Sequence, residues 1–208
     1  MTRVVWQSGA DRLAELARTA PLPVVPPSFL FLRHGETDGN LKGHYQREDQ
    51  PLNATGEAQA AAAARILAGE AIGEIVASPM ARAWRTASLA AEPHALAPQP
   101  EHRIRERVFA ALFGQPNHDF DWAKDPPGCE TLLEFVTRVR SGLADALATE
   151  TPPGRERLVV AHGGVLLVLT ALLDIDLHAD LHRNATPLRF RRNGAGWRAE
   201  RLGSDAAS

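Results

Sequence analysis

Two stretches of the sequence share a pattern in which a short apolar run ends in a histidine. The first run, residues 29–32, leads into Arg33 and His34, and the second run, residues 158–161, leads into His162. Uninterrupted apolar runs of this length are typical of parallel strands that are covered on both faces. Ligands of open α/β sheets bind at the carboxyl ends of such strands, where these polar side chains fall. The pattern therefore predicts a buried sheet with a polar site along one edge.

Helical segments separate the apolar runs and indicate how the sheet is covered. Residues 57–67 are rich in alanine, residues 131–148 are amphipathic, and residues 165–173 are almost entirely apolar. A further short strand is predicted at residues 74–77, and a hairpin is predicted around residues 193–196. Strands that alternate with helices predict an α/β fold, a three-layer sandwich with a mainly parallel central sheet and helices on both faces.

The residues after the strand at 74–77 predict how a third polar side chain reaches the site. Ser78 can cap a helix, and Pro79 can take the first helical position. Arg82 then falls in the first turn, where a positive charge opposes the helix dipole. An anion bound at the same helix end would explain this placement.

The composition is that of a globular protein with no general affinity for nucleic acid. The 23 Lys and Arg residues against 25 Asp and Glu leave a formal charge of -2, so any attraction for anions is local. No apolar run approaches the roughly 20 residues that span a bilayer. Cys129 is the one cysteine, which excludes an internal disulfide. The first residues lack the plan of a secretory signal, so we expect a cytoplasmic protein with no membrane partner.

The first 27 residues have a different character from the rest of the chain. A short helix is predicted over residues 11–18, and four prolines between residues 21 and 27 interrupt regular structure after it. We therefore expect residues 1–27 to be an N-terminal extension laid over the surface of a single domain, residues 28–208.

Four blocks of residues resemble, in the same order, the histidine phosphatase superfamily, branch 1, a phosphoglycerate mutase-like group. They are residues 32–37 with Asn40, residues 77–83, residues 104–106 and residues 160–164. The resemblance implies a phosphoglycerate mutase-like fold and catalysis that needs no metal and no cofactor. It also implies a phosphomonoesterase that acts through a phosphohistidine intermediate on a small phosphorylated metabolite and releases inorganic phosphate.

The same resemblance implies a role for each polar residue in these blocks. His34 is similar to the family's nucleophile, which a neutral imidazole can be. Arg33, Arg82 and His162 resemble the anion pocket that holds the phosphoryl oxygens, since phosphoryl transfer depends mainly on positioning and charge neutralisation. Glu106 matches the residue that protonates the leaving oxygen.

Further phosphate or substrate contacts are implied for three residues. Asn40, the backbone of Gly163 and Gln46 match family positions that contact the phosphoryl group or the substrate. Arg47 stands where many members have glycine, so it either adds a charge for the substrate or is solvated. From composition alone, the charged run at residues 101–107 is typical of a solvated face.

Two other functions remain open at this point. A cofactor-dependent phosphoglycerate mutase is the rival within the family. The resemblance implies that such a mutase has a longer chain, with asparagine where this chain has Gly164. A non-catalytic phosphate-binding regulatory module is the rival from another class, because the sequence after Glu106 departs from the family pattern. Substrate specificity is expected to come from residues 41–50 and 107–128.

The remaining expectations concern metals and assembly. His178 and His182 lie four residues apart but have no third ligand at metal-site spacing, so we expect them at the surface or in packing. Cys129 is expected to be inert. The edge formed by the C-terminal hairpin is a candidate surface for a homodimer.

Overall fold

The structure, a computed structural model, describes residues 8–176, 180–194 and 196–203. Within these ranges the strands form one six-stranded sheet in the order β3-β2-β4-β1-β5-β6. Strands β3, β2, β4 and β1 are parallel, and β5 and β6 run antiparallel to their neighbours. In chain order the elements are α1 (Ala10–Arg18), β1 (Ser28–Arg33), α2 (Asp38–Lys42), α3 (Ala54–Leu67), β2 (Ile72–Ala77), α4 (Ala81–Ala91), β3 (Gln99–Pro100), α5 (Leu132–Ala148), β4 (Glu156–Ala161), α6 (Gly163–Leu172), β5 (Pro187–Asn193) and β6 (Gly196–Arg201).

Alternate residues of the central strands point to opposite faces of the sheet, and each face is covered by helices. Phe29 and Phe31 of β1 belong to a core with α1, α5 and α6, whereas Leu30 and Leu32 belong to a core with α3 and α4. All four side chains are fully buried. The predicted three-layer α/β sandwich with a mainly parallel sheet is therefore confirmed.

Local sequence signals fix the ends of the helices. The Asn53 side chain accepts a hydrogen bond from the Gly56 N–H at 2.8 Å and starts α3. Thr131 and Glu134 form a reciprocal cap at the start of α5. The cap predicted at Ser78 is wrong, because α4 begins at Ala81 with Met80 in the cap position. Ser78 is instead hydrogen-bonded to a histidine, as described below.

The predicted N-terminal helix exists as α1 and packs into the core. Leu13 is 1% exposed and Ala17 is fully buried, and both belong to the apolar cluster that contains α5 and α6. Side chains at this depth contribute to the stability of the domain that covers them. The division between residues 27 and 28 stays a prediction.

The predicted C-terminal hairpin is formed by β5 and β6, and β6 is one edge of the sheet. An edge strand carries unpaired backbone groups that a second chain can use. The homodimer itself stays a prediction. Among the described residues, no helix combines the length and the apolar character that crossing a membrane requires.

Candidate active site

Three neighbouring parallel strands deliver polar residues to the same edge of the sheet. Strand β1 ends at Arg33 and is followed by His34, while β4 is followed by His162, which precedes α6. Strand β2 lies on the other side of β4 and leads to Arg82 in the first turn of α4. The carboxyl ends of parallel strands meet at one edge, so side chains that are far apart in the sequence converge here.

The backbone fixes the orientation of His34. Its backbone N–H donates to the Ala161 carbonyl at 3.0 Å, and its ring Nδ1 lies 2.7 Å from the Gly35 carbonyl. A carbonyl only accepts, so Nδ1 carries the proton and Nε2 keeps its lone pair. The pKa of His34 lies well below its ordinary value because of burial and then of the positive charges of Arg82 and Arg33. The imidazole is therefore held neutral, with a nucleophilic nitrogen.

His162 lies beside His34, with ring centroids 5.1 Å apart. Its Nε2 is 2.8 Å from the Ser78 hydroxyl, which explains why Ser78 is buried at this strand end. Its Nδ1 is buried with no hydrogen-bond partner among the described residues. Burial, followed by the charge of Arg82, holds the pKa of His162 well below its ordinary value. A phosphate dianion bound beside this imidazole is expected to raise its pKa and make it cationic, which stays a prediction.

Arg33 and Arg82 bring two positive charges to the site, and the groups that accept their hydrogen bonds are neutral. Arg33 donates to the His182 carbonyl at 2.6 Å, and Arg82 donates to the Arg47 carbonyl at 3.1 Å and to the Met80 sulfur at 3.3 Å. Within the described ranges neither guanidinium pairs with a carboxylate, and the Nε of each is buried without a partner. Burial lowers the pKa of both groups to about 10, so both remain cationic at neutral pH. Buried charges that no carboxylate contacts are costly, and this pair favours a bound anion.

Glu106 lies near both arginines, and its negative charge raises the pKa of both. One carboxylate oxygen accepts from the Gly164 N–H at 3.0 Å, and the other accepts from the Arg107 N–H at 3.0 Å. A Cβ at position 164 would lie 2.3 Å from this carboxylate and 2.5 Å from the Trp122 ring. A side chain at position 164 would therefore displace the Glu106 carboxylate or the Trp122 ring.

The segment that carries Glu106 is held from α5. The Arg138 guanidinium donates to the carbonyls of Arg103 and Arg105 at 2.8 Å and to the carbonyl of Glu106 at 3.0 Å. The same group pairs with Glu130 at 2.5 Å. The charged run at residues 101–107 is therefore not a solvated face throughout. Composition alone does not show which of its residues are buried and which are exposed.

A cavity of about 150 Å³ opens over the site. Its lining includes the sequence-predicted residues Arg33, Asn40, Gln46, Arg82, Glu106 and Gly163. The two histidines do not line the cavity: His34 is 3% exposed and His162 is fully buried, and each is the sequence neighbour of a lining residue.

Asn40 of α2 and Gln46 both contact Thr37, the residue that caps this helix. The Thr37 hydroxyl lies 3.0 Å from Asn40 Oδ1 and 2.7 Å from Gln46 Oε1. Both amides therefore keep their NH₂ groups as donors. A Cβ at Gly39 would lie 2.2 Å from Gln46, so this glycine makes room for the glutamine. Arg47 is exposed and lies over the Phe113 ring, 5.4 Å from its centroid.

His182 belongs to the site, which the sequence did not indicate. Its Nδ1 is 3.0 Å from Arg33 Nη1, and burial and the Arg33 charge lower its pKa to about 3. Its ring crowds Gly163, where a Cβ would lie 2.7 Å from Nε2. His178 lies outside the described residues. Among those described, no three His, Cys, Asp or Glu side chains are grouped so as to hold a metal ion.

The aromatic part of the cavity is also absent from the sequence prediction. Its rings come from residues 41–50 and 107–128, the two segments expected to set specificity, but their convergence on one wall was not anticipated. The only available signal was the density of aromatic residues in the second segment. The wall consists of Tyr45, Phe109, Phe113, Phe120 and Trp122.

Comparison with known proteins gives a family match over most of the chain. The family model described as the histidine phosphatase superfamily (branch 1) matches residues 29–205. Agropine synthesis reductase of Rhizobium rhizogenes is 35% identical over 193 residues, which cover 88% of this chain and 43% of that protein. The chain thus spans less than half the length of this relative.

Two further matches concern one kind of phosphatase. The glucosyl-3-phosphoglycerate phosphatase of Mycobacterium tuberculosis is 31% identical over 165 residues, which cover 70% of this chain and 74% of that protein. A structure of mycobacterial glucosyl-3-phosphoglycerate phosphatase in complex with VO3 is 26% identical, with a TM-score of 0.68 and coverage of 84% of this chain and 98% of that one.

Proposed function

Because the chain belongs to the histidine phosphatase superfamily (branch 1), we propose that it is a phosphomonoesterase that acts through a phosphohistidine on a small phosphorylated metabolite. The observation that carries this proposal is the neutral His34, with Nδ1 held by Gly35, beside two buried guanidinium groups that lack carboxylate partners. The arrangement supplies a nucleophile and two permanent positive charges for phosphoryl oxygens. Matches to phosphatases support the same class of reaction.

In the first proposed step, the phosphoryl group moves to His34. The Nε2 lone pair forms a bond to phosphorus while the bond from phosphorus to the ester oxygen breaks. Arg33 and Arg82 neutralise the charge on the phosphoryl oxygens, and His162 Nδ1 offers a further hydrogen-bonding atom. Glu106, in its protonated form, transfers its proton to the departing oxygen, which leaves as an alcohol.

In the second proposed step, water releases the phosphate. The Glu106 carboxylate, now without its proton, takes a proton from water as the water oxygen bonds to phosphorus and the nitrogen–phosphorus bond breaks. Inorganic phosphate leaves, and Glu106 and His34 return to their starting protonation states. No step requires a metal ion, because the arginines provide the positive charge.

The direct test measures hydrolysis of 4-nitrophenyl phosphate in the presence of a chelator. We expect His34→Ala to lower kcat by about 10⁴-fold or more, because the atom that forms the bond to phosphorus is removed. His118→Ala is the matched control, since this imidazole is 75% exposed outside the site. Wild-type turnover that survives in His34→Ala would contradict the phosphohistidine route.

The same assay separates the two rival functions. A protein that turns over no phosphomonoester between mildly acidic and neutral pH, yet binds inorganic phosphate, would be a regulatory module. A protein that interconverts phosphoglycerates only with 2,3-bisphosphoglycerate would be a mutase. An adduct on His34 that is labile to acid and stable to base is the outcome expected for the phosphatase.

A further inference from the structure

The cavity has two chemically different ends. One end holds Arg33, Arg82 and Glu106, which the proposed function uses for the phosphoryl group. The other end is a wall of aromatic rings, where the successive centroids of Tyr45, Phe109, Phe120 and Trp122 lie 5.0, 5.4 and 4.9 Å apart. The two ends meet at Trp122, because a Cβ at Gly164 would lie within 2.5 Å of both the Trp122 ring and the Glu106 carboxylate. A phosphate monoester bound at the arginines therefore places its leaving group against the aromatic wall.

Backbone hydrogen bonds hold the aromatic wall in place. The Tyr45 N–H donates to the Gln115 carbonyl at 3.0 Å, and the Gly114 N–H donates to the Tyr45 carbonyl at 2.9 Å. The Asn117 N–H also donates to the Gly43 carbonyl at 2.8 Å. These bonds join the two segments that carry the rings, so the wall is formed before any ligand binds.

The aromatic wall offers no free permanent cation among the described lining residues. Arg107 is 4% exposed, and its guanidinium donates three hydrogen bonds to backbone carbonyls and one to the Asp125 carboxylate. The remaining permanent cations of the lining, Arg33 and Arg82, belong to the phosphoryl end. The Glu48 carboxylate of the lining is paired with Arg105 at 2.8 Å. Arg47, which lies over the Phe113 ring, is not part of the lining and lies 3.6 Å from the Asp49 carboxylate. A leaving group with its own carboxylate or phosphate would therefore find no unpaired permanent cation in this part of the described lining.

Resting on the proposed function, we propose that the substrate is a phosphate monoester whose leaving group is uncharged and carries an aromatic ring. Aromatic rings recognise one another through offset and edge-to-face contacts, which this wall presents. An apolar cavity of about 150 Å³ encloses a benzene ring. Since this cavity of similar size also includes the phosphoryl end, the enclosed part of the leaving group is limited to about one ring.

The test compares three alkyl phosphates. 2-Phenylethyl phosphate and propyl phosphate release alcohols of similar acidity, so a difference between them reports binding of the ring, and D-3-phosphoglycerate adds a carboxylate. We expect kcat/KM for 2-phenylethyl phosphate to exceed both others by about tenfold or more. D-3-phosphoglycerate hydrolysed as well as or better than 2-phenylethyl phosphate would overturn the assignment of the leaving group.

Two lining variants sharpen the comparison. Phe113→Ala removes a half-buried ring of the wall and is expected to lower the ratio of kcat/KM for 2-phenylethyl phosphate to that for propyl phosphate. Asn117→Lys adds a cation to the lining and is expected to raise the relative rate on D-3-phosphoglycerate. Leu133→Ala, at a position that is 59% exposed outside this cavity, is the control that leaves the ratios unchanged. Ratios that do not move in either lining variant would also overturn the assignment.

Failure of this inference is distinguishable from failure of the proposed function. Turnover of all three esters with D-3-phosphoglycerate preferred contradicts only the aromatic leaving group. Absence of turnover of all three and of 4-nitrophenyl phosphate contradicts the phosphatase itself, and the leaving-group assignment with it.

Discussion

Three imidazoles at the candidate site, those of His34, His162 and His182, share one electrostatic property. Burial is the main cause that lowers the pKa of each, and the nearby arginines lower it further. The site therefore keeps its imidazoles neutral while it keeps its guanidinium groups charged. A neutral nucleophile beside permanent cations is the combination that attack on a phosphoryl dianion needs.

These lowered pKa values predict how stability changes with pH. Between pH 7 and pH 5 the unfolded chain protonates these histidines, whereas the folded protein does not, so the unfolded state binds more protons. The free energy of unfolding is therefore expected to fall on acidification, by about 2 kcal/mol for His182, whose pKa is lowered to about 3, and in the same direction for His34 and His162. Urea unfolding at pH 7 and pH 5 measures the change.

His182→Gln isolates one contribution to this pH dependence. The pKa of His182 is lowered to about 3, so its removal is expected to make the fall in unfolding free energy smaller by about 2 kcal/mol. His118→Gln is the exposed control and is expected to leave the fall unchanged. An unfolding free energy that stays constant or rises between pH 7 and pH 5 in the wild type would contradict the prediction.

At the scale of elements, α5 acts as more than a cover for the sheet. Its Arg138 binds the carbonyl groups of Arg103, Arg105 and Glu106 and pairs with Glu130. The Glu130 carboxylate also accepts from the Val108 N–H at 3.0 Å. The loop that carries the proposed proton donor is thereby fixed on both sides, which makes Arg138 a positioning residue.

Arg138→Lys is expected to impair turnover in a way that depends on the leaving group. A lysine ammonium cannot span the carbonyls that the guanidinium fork reaches, so Glu106 loses its placement. For propyl phosphate, which needs protonation of its oxygen, we expect kcat/KM to fall by about 10²-fold. For 4-nitrophenyl phosphate, whose oxygen leaves without a proton, we expect a fall of less than about tenfold.

Arg140→Lys on the same helix is the control, and both substrates should then react at wild-type rates. A circular dichroism spectrum and an unfolding curve of Arg138→Lys establish that the variant is folded at the assay temperature. Equal losses on the two substrates would mean that Arg138 acts on stability or binding rather than through Glu106.

For the whole molecule, the packing of α1 bears on where the domain begins. The sequence predicts an extension over residues 1–27, yet α1 places Leu13 and Ala17 inside the core formed with α5 and α6. The same two helices carry the site, since α6 starts at Gly163 and α5 holds the Glu106 loop. The stability of α1 packing therefore bears on the geometry of the site.

Leu13→Ala tests whether α1 belongs to the domain. Because Leu13 is 1% exposed, the substitution leaves a cavity and is expected to lower the free energy of unfolding by about 2–5 kcal/mol. Glu15→Ala, at a side chain that is 67% exposed on the same helix, is expected to change it by less than about 0.5 kcal/mol. A loss below about 1 kcal/mol in Leu13→Ala would favour a loosely attached extension.

The amino-acid sequence by itself determined the layers of the fold and the positions of most polar site residues. Apolar runs specify buried strands, helical periodicity specifies their cover, and strand ends specify where His34, His162 and Arg33 emerge. The helix start assigned to Ser78 failed because its hydroxyl is used by His162, a partner 84 residues away. Capping rules consider only residues that are close in the sequence, so they do not predict such a partner.

Only the tertiary structure decided which partners and surroundings these site residues have. His182 joins Arg33, Arg138 holds the Glu106 loop, and two loops combine into an aromatic wall through contacts between distant parts of the chain. Burial, the main cause of the lowered imidazole pKa values, likewise exists only once the helices cover the sheet. Periodicity and local spacing report on neighbours along the chain, whereas charge, burial and cavity shape depend on neighbours in space.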